Sequence, residues 1–496
     1  MKRFGLTDLG FIYGLFSALS LALINPWGTP RGEVWTDPKV YALIALALLT
    51  WGVLLALLVR FAAKKLRRRA TPRFHPPASW GWAALLWLAF LGWGLVTVYF
   101  SPVDPRHALV ANNEMGDGWV YWAWVAAFTL GNALLLRRFP QLFRPQLYGF
   151  LLAGALMGLA VVAQTVDWRL DFTATMGQEV PTPNPDRPNL LRSNIWEGQM
   201  PIGLTSHRGH AAFVLAATAV LALVGRLRGW VGGRYAWPLY ALSLLGVYLT
   251  ATRGAQLAFG VGMIYLLVRF WRVAGARRTL LVASAPLALG VAAVGVFGGV
   301  RALPSLETLF TNPLAFTSSR SYLWPSAVDG VRERPLLGWG FNGYGLAWPH
   351  VADLNERYKV NLAWEDGEVV EMARLQGTDH YYFRYIGEDG FLYRGRVLTN
   401  KAHNLFLDTA VSVGLVGLGL YLLLLGMFGA ATARGAFWGL EVVLVVYVVY
   451  GLTWFESAQF SHLAWWALSA GLAGQRAPQP VAQWRPFDRL FAARSA

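Results

Sequence analysis

The residues best suited to chemistry lie where polar chain gives way to apolar chain. His403 stands in KAHNLFLDTAVSVGLVGLGLYLLLL, residues 401–425, at the seam between a polar segment of about a hundred residues and an apolar run of membrane-spanning length. Asn404 follows it directly, and Asp408 lies about one helical turn further on. An imidazole with an ordinary pKa of about 6.5 is mostly neutral at neutral pH, so at such a mouth it can take a proton from a hydroxyl. A capping or interfacial histidine is the plainer reading of the same position. Asp408, at i+5 from His403, sits slightly off the same helical face for orienting the ring. Three arginines stand at comparable seams: Arg208 in LTSHRGHAAF, flanked by His207 and His210, Arg253 in LTATRGAQLAF, and Arg320 in TSSRSYLW. A guanidinium is permanently charged and offers a planar fork of donors, which suits phosphate oxygens, and two of them offset a diphosphate of charge about −2. Arg253, in a break of a few residues with Gly254 behind it, fits that role and fits equally an arginine that snorkels to lipid headgroups. His207, Arg208 and His210 read either as additions to a phosphate or glycan site or as interfacial structure.

These groups must be held by membrane helices. Apolar residues make up 55% of the 496, charged residues only 14%, and there are 24 tryptophans, too apolar a surface for a soluble globule. Runs near the roughly 20 residues needed to cross a bilayer fall at about 8–26, 40–59, 80–100, 118–136, 146–166, 209–225, 236–252, 255–271, 279–299, 404–430, 436–454 and 460–474. The first has a faint resemblance to a signal peptide at Ala18-Leu19-Ser20, but the spans that follow favour a polytopic, all-α membrane fold of about twelve helices. One set of connecting segments, with both ends of the chain, carries 24 of the 43 Lys and Arg against two acids, Asp8 and Asp488. By the positive-inside rule these face the cytoplasm. The formal charge of +16 is therefore a topology signal and not a nucleic-acid footprint. On this reading the chain divides into helices 1–9 over residues 1–298, a large external segment 299–402, helices 10–12 over 403–475 and a cytoplasmic tail 476–496. The external segment carries 11 Lys and Arg against 12 Asp and Glu, the balance of a folded subdomain. Within it a helix is expected from about Ser321, interrupted near Pro325 and ended by Pro335 and Gly338, and a hairpin over HYYFRYI and FLYRGRVLT.

Ionisable groups cost about 2.5 to 3.5 kcal/mol each at mid-membrane. Only Glu441 lies clearly inside a run, so chemistry belongs at the outer interface and not in a relay across the bilayer. The chain has no cysteine, which removes disulfides and thiolate metal sites. No Asp-x-Asp pair occurs in WGTPRGEVWTD, no His-Glu-x-x-His occurs anywhere, and no glycine-rich phosphate loop follows a strand. Neither a bound metal nor a nucleotide cofactor is expected, so an activated donor must supply the energy.

Three stretches together resemble the O-antigen ligase and O-antigen polymerase superfamily of bacterial envelope enzymes: LTATRGAQLAF with Arg253, SSRSYLWPSAVDGVRERPLLGWGFNGYG with Arg320, and AHNLFLDTAVSVGLVGL with His403, Asn404 and Gly414. The likeness covers about residues 200–430. It implies a GT-C-like, all-α, metal-independent, inverting glycosyltransferase of the bacterial inner membrane, with both termini cytoplasmic and its site periplasmic. The implied donor is a glycan on undecaprenyl diphosphate and the implied acceptor a hydroxyl of a lipid-linked core glycan. Membrane lipids surround it, and no nucleic acid takes part. Carried over by residue, Arg253 and Arg320 hold the diphosphate and His403 takes the acceptor's proton. Arg208, His207, His210, Asn404 and Asp408 are candidate substrate-binding residues. A polymerase of the same superfamily is the first alternative. A transporter of lipid-linked glycans is the second, disfavoured by the nearly chargeless helix interiors.

Overall fold

The computed structural model describes residues 5–28, 31–66, 78–102, 105–111, 115–165, 200–297, 320–351, 367–374, 381–387, 389–396 and 401–474. The expectations for the start of the 299–402 segment and for the tail lie outside these residues. In chain order the helices are α1 (Leu6–Ala22), α2 (Arg31–Trp35), α3 (Asp37–Leu66), α4 (Ala78–Phe100), α5 (Pro105–Val110), α6 (Trp119–Arg138), α7 (Phe143–Thr165), α8 (Arg208–Leu227), α9 (Gly233–Leu249), α10 (Arg253–Phe270), α11 (Ala276–Phe297), α12 (Arg320–Glu333) and α13 (Tyr344–Val351). Three strands follow, β1 (Gly367–Arg374), β2 (Tyr381–Gly387) and β3 (Leu392–Arg396), and then α14 (Leu405–Arg434), α15 (Glu441–Gly451) and α16 (His462–Leu472).

Each of the twelve apolar runs carries a helix. Among the described residues six helices are long and apolar enough to cross a bilayer: Asp37–Ala63, Ala78–Phe100, Trp119–Arg138, Pro140–Thr165, Arg208–Leu227 and Leu405–Arg434; α1 and α15 are apolar but shorter. The chain is a mainly helical membrane protein. Its periphery is apolar, with Leu55, Leu58, Trp82 and Leu88 exposed on α3 and α4, a surface that is stable against lipid and not against water. At the centre stands α8, on which every residue from Gly209 to Gly225 is buried. An apolar helix with no polar face must be surrounded by others, and α7, α9, α10 and α15 pack around it.

Three expectations change here. The 299–402 segment holds more than the expected hairpin: β1, β2 and β3 form an antiparallel sheet in that order. The expected hairpin is β2–β3, and β1 adds a third strand from GEVVEMAR, whose charged residues masked its alternation. The expected interruption at Pro325 is absent: α12 runs through this proline from Arg320 to Glu333, giving up one bond of the backbone ladder. Glu441, assigned to a helix interior from sequence, is instead the first residue of α15. It accepts from Arg269 Nε and Tyr265 Oη at 3.0 Å each, so its charge is paired at a helix end.

The feature that places the site is a break in α14. Gly414 has φ 70° and ψ 179°, a conformation open only to glycine, and it interrupts the backbone ladder. The carbonyls that lose their helical partners are taken up by the segment after α12: Trp339 N–H donates to Val411 O at 2.7 Å and Gly340 N–H to Ser412 O at 2.8 Å. In return Leu415 N–H donates to Pro335 O at 2.8 Å. Broken backbone is tolerable at this depth because inserted protein satisfies it. A β-carbon on Gly414 would lie 1.8 Å from Leu336 O, and one on Gly338 would lie 2.6 Å from Gly414 N, so both glycines are needed for the close approach. The Pro-Leu-Leu-Gly-Trp-Gly run is thus a plug that fixes α12 against α14.

Candidate active site

The amino ends of α8, α10, α12 and α14 converge on the loop 452–461 between α15 and α16. Trp454 is the hub. Its ring centroid lies 4.9 Å from that of His207, 5.2 Å from His403, 6.1 Å from His210 and 4.9 Å from Phe455. Two histidines at the start of α8 and a third nearly two hundred residues later in the chain therefore meet on one indole. The packing is close enough that a β-carbon on Gly209 would lie 2.6 Å from the Trp454 ring and 2.8 Å from Tyr450 Oη.

The arginines gather beside this hub. Arg320, the first residue of α12, donates from Nη2 to Thr453 O at 3.0 Å and from Nε at 3.3 Å. Thr453 also touches α10: a β-carbon on Gly254 would lie 2.2 Å from Thr453 Oγ1. Arg253 opens α10 immediately before that contact. Burial lowers the Arg320 pKa, the Tyr450 hydroxyl opposes this, and the neighbouring positive charge of Arg253 lowers it further. Arg208 and Arg320 both act electrostatically on Tyr450. Tyr450 Oη and Trp454 Nε1 are buried with no hydrogen-bond partner among the described residues. The result is a cluster of cationic side chains beside an aromatic floor, with two further buried donors, Tyr450 Oη and Trp454 Nε1, in that floor.

His403 adopts φ 52°, in the left-handed region that side chains seldom occupy, so its neighbours must hold it there. Its Nδ1 lies 3.1 Å from Lys401 O. A carbonyl only accepts, so Nδ1 carries the hydrogen and Nε2 keeps the lone pair. Burial holds the imidazole down at about pKa 4; the Lys401 carbonyl opposes this, and the positive charges of Arg320 and Lys401 add to it. A neutral imidazole with a free Nε2 next to an arginine cluster can receive a proton from a hydroxyl bound beside a diphosphate.

The remaining candidates divide. Asn404 is the cap of α14: its Oδ1 accepts from Phe406 N and Leu407 N at 3.0 and 3.1 Å, and its Nδ2 donates to Leu452 O at 3.1 Å. His207 caps α8, with Nδ1 accepting from Gly209 N at 3.0 Å. His210 is fully buried against Trp454, Phe455 and Phe460. Asp408 accepts from Ala402 N at 2.9 Å and pairs with Lys401 Nζ at 3.2 Å, and so addresses the loop before His403 and not the imidazole. Among the described residues no group of three or more His, Asp or Glu side chains gathers as a metal site.

Sequence reasoning missed Trp454, Thr453, Tyr450, Lys401 and Asp117. A signal was present in LTWFESAQFSH, residues 452–462, a polar interruption between two apolar runs. A family model described as O-antigen ligase matches residues 238–422, and no curated protein matches the chain.

Proposed function

Because residues 238–422 match a family model described as O-antigen ligase, we propose that the chain is an inverting, metal-independent glycosyltransferase of ligase type. It moves a glycan from undecaprenyl diphosphate to a hydroxyl of a lipid-linked core glycan. Arg320 and Arg253, with Arg208, Tyr450 and Trp454 around them, hold the diphosphate. The acceptor hydroxyl gives its proton to His403 Nε2 as its oxygen bonds to the anomeric carbon. The bond from that carbon to the diphosphate oxygen breaks, and the electron pair leaves with the diphosphate, whose charge the guanidiniums stabilise. With a pKa of about 4 the His403 imidazolium does not keep the proton but releases it to the departing phosphate or to water. The low pKa also keeps the base neutral despite two positive neighbours. The observation that carries this reading is the meeting of His403 and Arg320 across the 452–461 loop.

We assign the site end to the periplasmic face of a bacterial inner membrane, with both termini cytoplasmic and twelve crossings in a GT-C-like arrangement. Support comes from charge: α8, α10 and α14 start at the site and end near Arg226, Arg269 and Arg434. His207 and Asn404 cap the helices that begin at the site, His210 packs under Trp454, and Asp408 holds the segment before His403. The test is purified protein with a synthetic undecaprenyl-diphosphate glycan and a core-glycan acceptor, with product analysis. His403→Ala is expected to lower turnover by about 10² to 10⁴, while chelator leaves it unchanged. Turnover indifferent to His403→Ala, or abolished by chelator, would sink the mechanism.

A further inference from the structure

Lys401 lies two residues before the proposed base and is almost fully buried, its side chain 3% exposed. Its Nζ lies 2.7 Å from Asp117 Oδ2, in the turn before α6, and 3.2 Å from Asp408 Oδ2 in α14. Burial lowers its pKa, but Asp117 and Asp408 outweigh this and hold it above the ordinary lysine range. Ala402 N–H donates to the other oxygen of Asp408. Residues 401 and 402 are therefore clamped, one by its side chain and one by its backbone. The backbone carbonyl of the clamped Lys401 is the group that takes His403 Nδ1.

Buried ion pairs seldom add net stability, and apolar or neutral replacements of similar volume are often tolerated. A fold-only role for this triad would therefore not require the charges. What the charges do require is one position for the Lys401 backbone, and with it one tautomer and one orientation of a histidine in the left-handed region. We propose that Lys401 and Asp117, with Asp408, are positioning residues for the transfer reaction, a lock that aims His403 Nε2 at the acceptor hydroxyl. Asp117 reaches His403 only through Lys401. The inference rests on the reading of His403 as the base.

The test compares steady-state kinetics and thermal unfolding of the full-length protein with those of three variants. The neutral triple variant Lys401→Met, Asp117→Asn, Asp408→Asn keeps the side-chain volumes and leaves an acceptor for Ala402 N. It is expected to melt near the wild-type temperature with donor KM within about threefold, while kcat falls on the order of 100-fold, as for a misplacement of about 1 Å. Lys401→Arg restores the charge pairs and is expected to recover most of kcat. Asp117→Asn, which leaves Lys401 paired to Asp408, gives a smaller loss of kcat and carries the comparison if the triple variant does not fold. Histidine ¹⁵N spectra, with His403→Ala to assign the signal, are expected to show Nδ1–H in the wild type and a tautomer mixture in the neutral variant. Wild-type kcat in the folded neutral variant, an unchanged tautomer, or kcat losses that track melting temperature and KM together each overturn the lock. If His403→Ala is itself fully active, the base assignment has failed and the lock with it. Failure of the lock alone leaves His403→Ala inactive.

Discussion

Replacing Gly414 by alanine attacks the joint on which the site depends. Two costs add. An alanine held at φ 70° and ψ 179° carries backbone strain of about 1 to 3 kcal/mol. Its β-carbon would also stand 1.8 Å from Leu336 O, a backbone atom with no rotamer to yield, so the 335–340 plug must withdraw. Withdrawal breaks the bonds from Trp339 N to Val411 O, from Gly340 N to Ser412 O and from Leu415 N to Pro335 O, each worth about 1 kcal/mol. The sum is about 4 to 6 kcal/mol, a large share of a typical folding stability of about 5 to 15 kcal/mol. The assay is thermal unfolding in detergent together with glycosyl transfer. The melting temperature is expected to fall by about 4 to 6 °C, and transfer to fall further than stability alone explains, because the plug fixes α12 and with it Arg320. Gly338→Ala should act similarly, since its φ is 66° and its β-carbon meets Gly414 N from the other side. A Gly414→Ala protein that melts and turns over like the wild type would refute the inserted plug.

Three shorter predictions follow from the same geometry. Arg320→Lys keeps one charge but loses the fork that donates twice to Thr453 O; donor KM should rise and kcat/KM drop by about 10- to 100-fold, and an unchanged value would remove Arg320 from the diphosphate site. Because His403 is lowered from 6.5 to about 4, the acid limb of the rate profile should lie near pH 4 and not near pH 6.5. The unfolded chain binds the proton more readily between those values, so this residue's contribution to stability is full above about pH 6.5 and is lost as pH falls toward 4. An acid limb at pH 6.5 that disappears in His403→Gln would show the ring to be solvated. Asn404→Ala removes the acceptor for two α14 amides and the donor to Leu452 O; it should cost about 1 kcal/mol of stability, measurable by denaturant unfolding, and lower kcat more than KM because the 452–461 loop shifts under His403.

Much of this architecture was legible in the residue order. Each of the twelve apolar runs carries a helix, six of them among the described residues long and apolar enough to cross a bilayer, because an apolar segment held away from water must satisfy its backbone internally. The β2–β3 hairpin was legible from the aromatic runs either side of EDG, while β1 was not, because the acids and Arg374 in GEVVEMAR hide its alternation. Glu441 looked intramembrane only because the run 436–454 was read as unbroken, and its partner Arg269 is 172 residues away. For the site, Arg253, Arg320 and His403 were visible as basic groups at helix ends, and each does lie at the end that holds the cluster. Asn404 and Asp408 were visible as polar neighbours of His403, but not that one caps α14 and the other holds Lys401 and Ala402.

Residue order by itself determined that the protein is a helical membrane protein and roughly where its helices lie, since hydropathy acts locally and needs no fold to be read. Tertiary structure decided which of those helix ends meet. Trp454 gathers His207, His210 and His403, Thr453 joins Arg320 to α10, and Lys401 reaches Asp117 across 284 residues of chain. Such contacts depend on how whole helices pack around α8 and on how the plug fits the break at Gly414. Packing of that kind is a property of surfaces that exist only after the chain has folded, so no local pattern records it.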